Sequence, residues 1–291
     1  MPEAGIMKRA HEDMMSFEEI DQLVTAFVEL GIEKIRLTGG EPLTKKHIVQ
    51  LVKQISRHKE IKDLSMTTNA LLLGRMAKDL KDAGLQRVNI SLDTLNEAKY
   101  RQMTRGGELS QVMKGIEEAR RVGLGPIKIN VVLIGGFNDD EVVDFVNLTK
   151  TYDLEVRFIE LMPIGEVSKW SKERFISNDT VLTQVPLLKP IQKKDVSSPA
   201  NYYQLEGAKG KVGLISPISC KFCGDCNRIR LTADGMLKYC LHSDEELNIL
   251  EVCRNKGNLK ASIQEYIYKK PKEHKIEEGC YVKRNMVRVG G

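Results

Sequence analysis

Short apolar segments alternate with amphipathic segments along the first 160 residues of the chain. Between Ser16 and Gly31, apolar side chains recur at the three- and four-residue spacing that is typical of a helix. Ser16 followed by Glu19 is the pattern of a capping box, which marks the start of a helix. Residues 32–40 (IEKIRLTGG) then predict a strand that ends in a glycine turn.

The same alternation continues to residue 161. It predicts further helices at 44–57, 71–83, 109–122 and 139–152, and further strands at 61–69, 86–94, 127–136 and 154–161. Strands of this length that are separated by helices indicate parallel βαβ units. The pattern therefore predicts an α/β fold with five such strands in this part of the chain.

The alternation stops at Met162-Pro163, and this sets a predicted division of the chain into residues 1–162 and 163–291. Residues 164–215 are irregular, with short strands predicted near 201–207 and 211–216. Helices are predicted at about 244–256 and 259–269.

Composition excludes several classes of protein. The chain has 291 residues, 41% of them hydrophobic, and a net charge of +5. No apolar run is long enough for a membrane span, and the N-terminus lacks the apolar core of a signal peptide, so we expect a cytoplasmic protein with no membrane partner. The dispersed positive charge suits a small anionic substrate better than a nucleic acid.

The cysteines indicate a metal site. Cys220, Cys223, Cys226 and Cys240 lie within 21 residues, and in a cytoplasmic chain such clustering favours metal over disulfides. Thiolates bind both iron–sulfur clusters and structural zinc, and the spacing by itself fits both about equally well.

Two arginines lie inside this cysteine segment. Arg228 and Arg230 alternate along a predicted strand and therefore point to the same side of it. The sequence TADG that follows predicts a hairpin, which would bring Cys240 back beside Cys226. Two guanidinium groups beside a metal site would bind phosphate or carboxylate.

Polar side chains also occur on four of the predicted strands, mostly near their C-terminal ends, where parallel α/β folds place their ligands. They are Thr67, Thr68, Asn69, Ser91, Asp93, Lys128, Asn130, Arg157 and Glu160, and Met162 follows the last of them. The Gly39-Gly40 pair at the end of another predicted strand allows a ligand to approach the backbone closely. Together these positions favour a site at one end of the sheet.

The motifs TGGEP (38–42), SLDT (91–94), RFIELMP (157–163) and CNRIRLTADG (226–235) occur in this order, and the chain ends in Gly-Gly. With these motifs the chain resembles the molybdenum cofactor biosynthesis protein A family. These proteins are the GTP 3′,8-cyclases of the radical S-adenosylmethionine superfamily. The resemblance implies conversion of GTP to (8S)-3′,8-cyclo-7,8-dihydroguanosine 5′-triphosphate. It also implies an incomplete triosephosphate-isomerase-type barrel, with a C-terminal iron–sulfur-binding region covering its open side.

The resemblance also assigns residues to roles. It implies that a C-terminal [4Fe–4S] cluster is held by Cys223, Cys226 and Cys240. It implies S-adenosylmethionine contacts at Gly40, Ser91 and Met162, and a catalytic role for the terminal Gly290 and Gly291. The implied GTP contacts are Lys34, Arg36, Thr67, Lys128, Arg157, Arg228, Ile229 and Arg230.

The chain departs from the family pattern at its N-terminus. The family holds its radical-generating cluster by a C-x3-C-x2-C motif that continues into Met-Pro, whereas this chain begins with Met1-Pro2 and has no cysteine before Cys220. We therefore expect the first barrel strand and the ligands of that cluster to be missing, with residues 32–40 forming a sheet edge.

Two other hypotheses remain open. The missing cysteines allow a catalytically inactive remnant that binds GTP and one cluster. The TGGEP motif, which radical enzymes share more widely, allows a different radical enzyme with an auxiliary cluster. Cys220 is expected to be a nearby free thiol rather than a fourth ligand. The remaining expectations are a homodimer and a downstream cyclic pyranopterin monophosphate synthase that acts on the product.

Overall fold

The computed structural model describes residues 11–164, 168–193 and 195–274, together with Val282, Arg284 and Met286. The helices are α1 (Phe17–Glu29), α2 (Ile48–Ile55), α3 (Leu73–Asp82), α4 (Glu97–Thr104), α5 (Leu109–Arg121), α6 (Val142–Thr151), α7 (Ser168–Glu173), α8 (Asp179–Gln184), α9 (Ile249–Arg254) and α10 (Leu259–Tyr268). The strands are β1 (Lys34–Leu37), β2 (Asp63–Thr68), β3 (Arg87–Ser91), β4 (Ile127–Leu133), β5 (Leu154–Glu160), β6 (Lys189–Ile191), β7 (Ala200–Gln204), β8 (Lys211–Ile215), β9 (Arg230–Leu231), β10 (Met236–Lys238) and β11 (Leu247–Asn248).

Eight strands form one sheet in the order β1-β2-β3-β4-β5-β8-β7-β6. The first five strands and β8 run parallel, whereas β7 and β6 are antiparallel additions beyond β8. This confirms the five predicted parallel strands and the predicted strands near 201–207 and 211–216. Within the described residues β1 is the edge strand, as expected.

One side of the parallel strands is apolar and is covered by helices. Met66, Ile90, Ile129 and Val156 are almost completely buried on successive strands, in the core that they share with α2, α3, α5 and α6. Side chains alternate along a strand, so the residues between these positions point to the opposite side. That opposite side carries the polar residues of the candidate site.

Helix α1 connects this core to a second one. Val24 packs into the core under the sheet, while Leu23 and Phe27 pack against Leu237 and Ile249 of the C-terminal part. The start of α1 is held by the predicted capping box, in which the Glu19 N–H donates to Ser16 Oγ over 3.1 Å and the Ser16 N–H donates to Glu19 Oε2 over 2.8 Å. The C-terminal part is therefore packed directly on the first helix.

A second sheet of three short antiparallel strands, β9, β10 and β11, carries the arginine segment. Arg230 lies opposite Lys238, and the Thr232 N–H donates to the Met236 carbonyl over 2.9 Å. Gly235 completes the turn at φ +75°, a conformation that side chains rarely adopt. The hairpin predicted from TADG is confirmed.

Some elements differ from the sequence prediction. Helix α4 was not predicted, because Tyr100 is its only buried residue and its apolar periodicity is correspondingly weak. Helices α7 and α8 lie in the segment predicted to be irregular. Helix α9 is shorter than predicted, since residues 247–248 form β11 instead. No described helix combines the length and the apolar character that crossing a membrane needs.

The close packing of α3 on α5 gives a test of the fold. A Cβ at Gly115 would lie 2.6 Å from the Ala70 carbonyl oxygen, so we expect Gly115→Ala to lower the free energy of unfolding by about 1–3 kcal/mol. Gly74 on the facing helix is the matched control, because a Cβ there meets nothing closer than 3.8 Å. Gly74→Ala should be neutral or stabilising by up to about 1 kcal/mol, since alanine favours the helix. Urea denaturation measures both, and equal shifts in the two variants would contradict the packing.

Candidate functional site

The polar side of the parallel strands is rich in cations, and we call it the polar face. Its residues recur at every second position, as strand alternation requires. They are Lys34 and Arg36 on β1, Thr67 on β2, Arg87 and Asn89 on β3, Lys128 and Asn130 on β4, Glu155 and Arg157 on β5, and Lys211 on β8.

Asn89 on β3 links its own strand to β2 and, across β4, to β5. It is completely buried, and its Oδ1 accepts from Arg87 Nη1 over 3.3 Å and from Arg157 Nη2 over 3.2 Å. Its Nδ2 donates to Thr67 Oγ1 over 3.4 Å. One amide therefore separates two guanidinium groups and orients both.

Arg157 is the most deeply buried cation of the predicted GTP contacts, with 4% of its surface exposed. Its Nε donates to Asn130 Oδ1 over 3.0 Å. Burial lowers the pKa of Arg157, while Tyr202 and the Glu155 carboxylate raise it. Gly213 makes room for the side chain, because a Cβ there would lie 3.1 Å from Arg157 Cγ.

Arg36 connects the polar face to the cysteine segment. Its side chain is exposed to solvent, yet the surrounding protein lowers the pKa of its guanidinium to about 9, and the charges of Arg157, Arg87 and Arg228 contribute to this shift. Arg36 remains protonated at neutral pH. The smallest of these contributions, that of Arg228, comes from the cysteine segment.

Lys34 lies on the same edge strand and is exposed. Its Nζ donates to Asp195 Oδ2 over 2.7 Å. Hydrogen bonds from Lys34 and Ser197 lower the pKa of Asp195 to about 2. This surface pair places a segment of the C-terminal part against β1.

The three cysteines predicted as cluster ligands lie close together. Cys223 begins a single 3-10 turn, Cys226 ends it with its N–H donating to the Cys223 carbonyl over 3.1 Å, and Cys240 follows β10. All three are half-buried. Burial raises the pKa of Cys240, the His242 N–H and the Lys270 charge oppose this change, and the charges of Cys223 and Cys226 add to it. Cys220 is exposed.

Donor groups surround two of these sulfurs. Arg228 Nη2 and Lys270 Nζ lie 3.4 Å and 3.5 Å from Cys226 Sγ, and the His242 N–H donates to Cys240 Sγ over 3.4 Å. Burial of Cys226 disfavours its thiolate, but the hydrogen bonds and charges of Arg228 and Lys270 outweigh burial and lower the pKa of Cys226. Thiolates ligate iron–sulfur clusters and N–H donors to the sulfurs tune them, so these residues have the chemistry that such a cluster needs.

Within residues 11–164, 168–193 and 195–274, no three cysteine, histidine or acidic side chains form a group that would hold a single metal ion. The choice between zinc and an iron–sulfur cluster at these cysteines stays a prediction.

Glu160 fixes the start of the cysteine loop. It is fully buried at the end of β5, and its carboxylate accepts from the backbone N–H groups of Ile218 and Ser219, each over 3.0 Å. The Ser219 hydroxyl donates to the other oxygen. The strand that carries Arg157 therefore also anchors the loop that carries the cysteines.

The remaining predicted residues are placed as follows. Gly40, Ser91 and Met162 come at or just after the C-terminal ends of β1, β3 and β5. Ile229, which lies between Arg228 and Arg230 in the sequence, packs against the second core. Arg230 is half-buried, and burial together with the Arg228 charge lowers its pKa to about 10. Gly290 and Gly291 lie outside the described residues.

Several residues of the site were not predicted from the sequence: Arg87, Asn89, Glu155 and Lys270. The first three share the two-residue spacing of their strands, which was the available signal. Lys270 gave none, because it follows Cys240 by many residues. A separate surface depression of about 350 Å³, lined by residues such as Lys53 and Asp82, contains none of the predicted site residues.

Family models match both parts of the chain. The Radical SAM superfamily model matches residues 4–149, and the Molybdenum Cofactor Synthesis C model matches residues 154–276. A protein of Peptoclostridium acidaminophilum named GTP 3′,8-cyclase is 55% identical, covering 100% of this chain and 90% of its own length. The chain belongs to the GTP 3′,8-cyclase family. A second protein of that name, from Alkaliphilus oremlandii, is 51% identical and covers 100% of this chain and 92% of its own length.

The fold also matches a solved structure. The structure of Streptococcus suis SuiB bound to S-adenosylmethionine aligns with a TM-score of 0.55 at 13% identity, covering 89% of this chain and 62% of SuiB. This likeness concerns the fold. Together with the parallel sheet and the superfamily match, it confirms the predicted incomplete barrel.

The amide at position 89 gives a test of the polar face. We expect Asn89→Ala to lower the free energy of unfolding by about 1–3 kcal/mol, since buried guanidinium donors lose their acceptor. Asn201 is exposed on β7 and serves as the matched control, where the same change should cost less than about 0.5 kcal/mol. Urea denaturation of both variants is the measurement. Equal costs would show that Asn89 does not hold the two arginines.

Proposed function

We propose that the protein is a GTP 3′,8-cyclase of molybdenum cofactor biosynthesis, which converts GTP to (8S)-3′,8-cyclo-7,8-dihydroguanosine 5′-triphosphate. Its membership of the family supports this reaction. The observation that carries the proposal is the anchoring of the cysteine loop to the strand that carries Arg157. Glu160 at the end of β5 accepts from the backbone N–H groups of Ile218 and Ser219, each over 3.0 Å, and the Arg228 charge contributes to the lowered pKa of Arg36.

A triphosphate is a fitting ligand for this arrangement. It carries several negative charges, and charge-assisted hydrogen bonds from guanidinium and ammonium groups are the strong ones. The proposed GTP contacts are Lys34, Arg36, Thr67, Lys128, Arg157, Arg228, Ile229 and Arg230. A ligand held between the face and the cysteine loop would also relieve the repulsion among these cations.

The proposed cluster site comprises Cys223, Cys226 and Cys240. These three thiolates would hold a [4Fe–4S] cluster, which supplies an iron with an open position for the GTP base. The charges of Cys223 and Cys226 contribute to the raised pKa of Cys240, and N–H donors lie beside Cys226 and Cys240. Both observations support this assignment. Gly40, Ser91 and Met162 are the proposed S-adenosylmethionine contacts, and Gly290 and Gly291 are proposed to reach the reacting substrate.

Membership of the radical SAM superfamily implies S-adenosylmethionine and a [4Fe–4S] cluster that cleaves it. Residues 1–219 contain no cysteine, so they do not fit that cluster, and we assign no step to it. The second candidate function is a protein that binds GTP and one cluster without forming a radical. A peptide-modifying radical enzyme is disfavoured by CNRIRLTADG, and SuiB shares only the fold with this chain.

Three further proposals concern organisation. The division of the chain at residue 163, a homodimer, and a downstream synthase that consumes the cyclised nucleotide stay predictions. The sheet itself passes across the proposed division, because β8 of the later part pairs with β5 of the earlier part.

The two candidate functions can be separated in one experiment. The protein is reconstituted with iron and sulfide without oxygen, then incubated with GTP, S-adenosylmethionine and a strong reductant. Formation of the 3′,8-cyclised nucleotide with 5′-deoxyadenosine supports the cyclase. Binding of GTP without either product, at about four irons per chain, supports the second candidate. Absence of GTP binding contradicts both.

Cysteine substitutions test the cluster ligands. We expect Cys223→Ala to lose most of the iron and the visible absorption of the reconstituted protein, because one of three ligands is gone. Cys220→Ala is the matched control and should keep both, as its thiol is exposed. Iron analysis gives the result. Loss of iron in the Cys220 variant would make that residue a ligand.

Arginine substitutions test the GTP contacts. We expect Arg228→Ala to weaken GTP binding by about 10- to 100-fold, because a hydrogen bond to a charged group contributes about 1.5–3 kcal/mol. Arg75, exposed on α3, is the control, and its alanine variant should bind GTP as the parent protein does. Titration calorimetry measures both. An unchanged affinity in the Arg228 variant would exclude this contact.

A further inference from the structure

A single buried carboxylate lies among the cations of the polar face. Glu155 is 5% exposed, and its Oε2 lies 3.0 Å from Lys128 Nζ. The same oxygen accepts from the Tyr202 hydroxyl over 3.0 Å, and Oε1 lies 3.1 Å from Lys211 Nζ. Both carboxylate oxygens are therefore occupied by protein donors.

The register of the sheet produces this group. Lys128 on β4 is opposite Glu155 on β5, and Glu155 is opposite Lys211 on β8. Tyr202 reaches the carboxylate from β7, and its ring lies under the Lys211 ammonium at 4.2 Å. Four strands hold the carboxylate in place, which leaves it little freedom to turn toward a ligand.

The charges of this group still attract an anion. Lys128, Glu155 and Lys211 together carry a net positive charge, since two ammonium groups flank one carboxylate. An ammonium has three N–H donors, and Glu155 takes one from Lys128. A phosphate bound at the polar face would accept from the other donors of Lys128.

Lys128 depends on this carboxylate. Burial lowers the pKa of Lys128, the Glu155 carboxylate opposes this change and the charges of Arg157 and Arg87 add to it, which together gives a pKa of about 8. Glu155 in turn is kept ionised, because Lys128 and Lys211 outweigh the burial that would raise its pKa.

We propose that Glu155 is a positioning residue for GTP binding. It holds the Lys128 ammonium in place and stabilises its positive charge, so that Lys128 can contact the triphosphate. The inference rests on the proposed function, in which Lys128 contacts GTP. Glu155 itself touches no substrate, since its oxygens are occupied by Lys128, Tyr202 and Lys211.

The pH dependence of GTP binding distinguishes this role from a purely structural one. Glu155→Gln keeps the shape of the side chain and removes its charge, so Lys128 should lose its proton at lower pH, with Arg157, Arg87 and Lys211 still nearby. We expect GTP affinity of this variant to be close to that of the parent at pH ~6.5 and about tenfold weaker than the parent at pH ~8.5.

Two further variants complete the test. Glu206→Gln removes an exposed carboxylate that pairs with Lys189 and should leave the pH profile unchanged. Lys211→Met removes the cation that shares the Glu155 carboxylate with Lys128, so Lys128 should keep its proton to higher pH. The fall in GTP affinity should then occur at higher pH than in the parent, opposite to the Glu155 variant. This second shift keeps the inference testable if Glu155→Gln fails to fold.

A measurement without GTP separates the inference from the proposed function. The titration of the Lys128 side chain, followed by carbon NMR at its ε position, should move to lower pH in Glu155→Gln. Parallel pH profiles and an unmoved Lys128 titration in this variant would overturn the role of Glu155. If Lys128→Gln binds GTP as the parent does, the proposed GTP contact fails instead, whatever the titration shows.

Discussion

Repulsion among like charges on one face of a sheet is the constraint on which the rest of the site depends. Strand alternation places arginine and lysine side chains side by side, and Arg157 among them is buried, where charges act strongly on one another. The structure offsets this repulsion with few negative groups. Arg87 donates to the Asp63 carboxylate from Nε over 2.8 Å and from Nη2 over 2.6 Å, and Glu155 lies between two lysines. Neutral amides occupy the positions between the remaining cations.

The arrangement leaves a surplus of positive charge facing the cysteine loop. A protein with no anionic ligand would gain stability by pairing these cations or by replacing them with apolar residues. Their retention on one face is understandable when a polyanion binds there and supplies the missing negative charge. Repulsion among the cations destabilises the free protein, and relief of this repulsion contributes to the free energy of ligand binding.

The cysteine loop is held to this face from three directions. Glu160 binds its start from the end of β5, and Lys270 donates to the carbonyls of Cys226 and Arg228 over 2.6 and 3.1 Å. The second core packs the adjoining hairpin on α1. Because Arg157 and Glu160 belong to the same strand, movement of the loop relative to the cations is restricted.

The sequence by itself determined the elements and their chemistry. The apolar periodicity located the parallel strands, the Ser16–Glu19 pair located the start of α1, and TADG located the hairpin, because each of these signals is local. It missed α4, where only Tyr100 is buried, and it did not single out Glu155 or Lys270. Only the tertiary structure decided which charges meet. Lys128 meets Glu155 through strand register, and Lys270 reaches the Cys226 carbonyl from 44 residues further along the chain. Such pairings depend on the order of strands and the docking of loops, and those are properties of the folded chain as a whole.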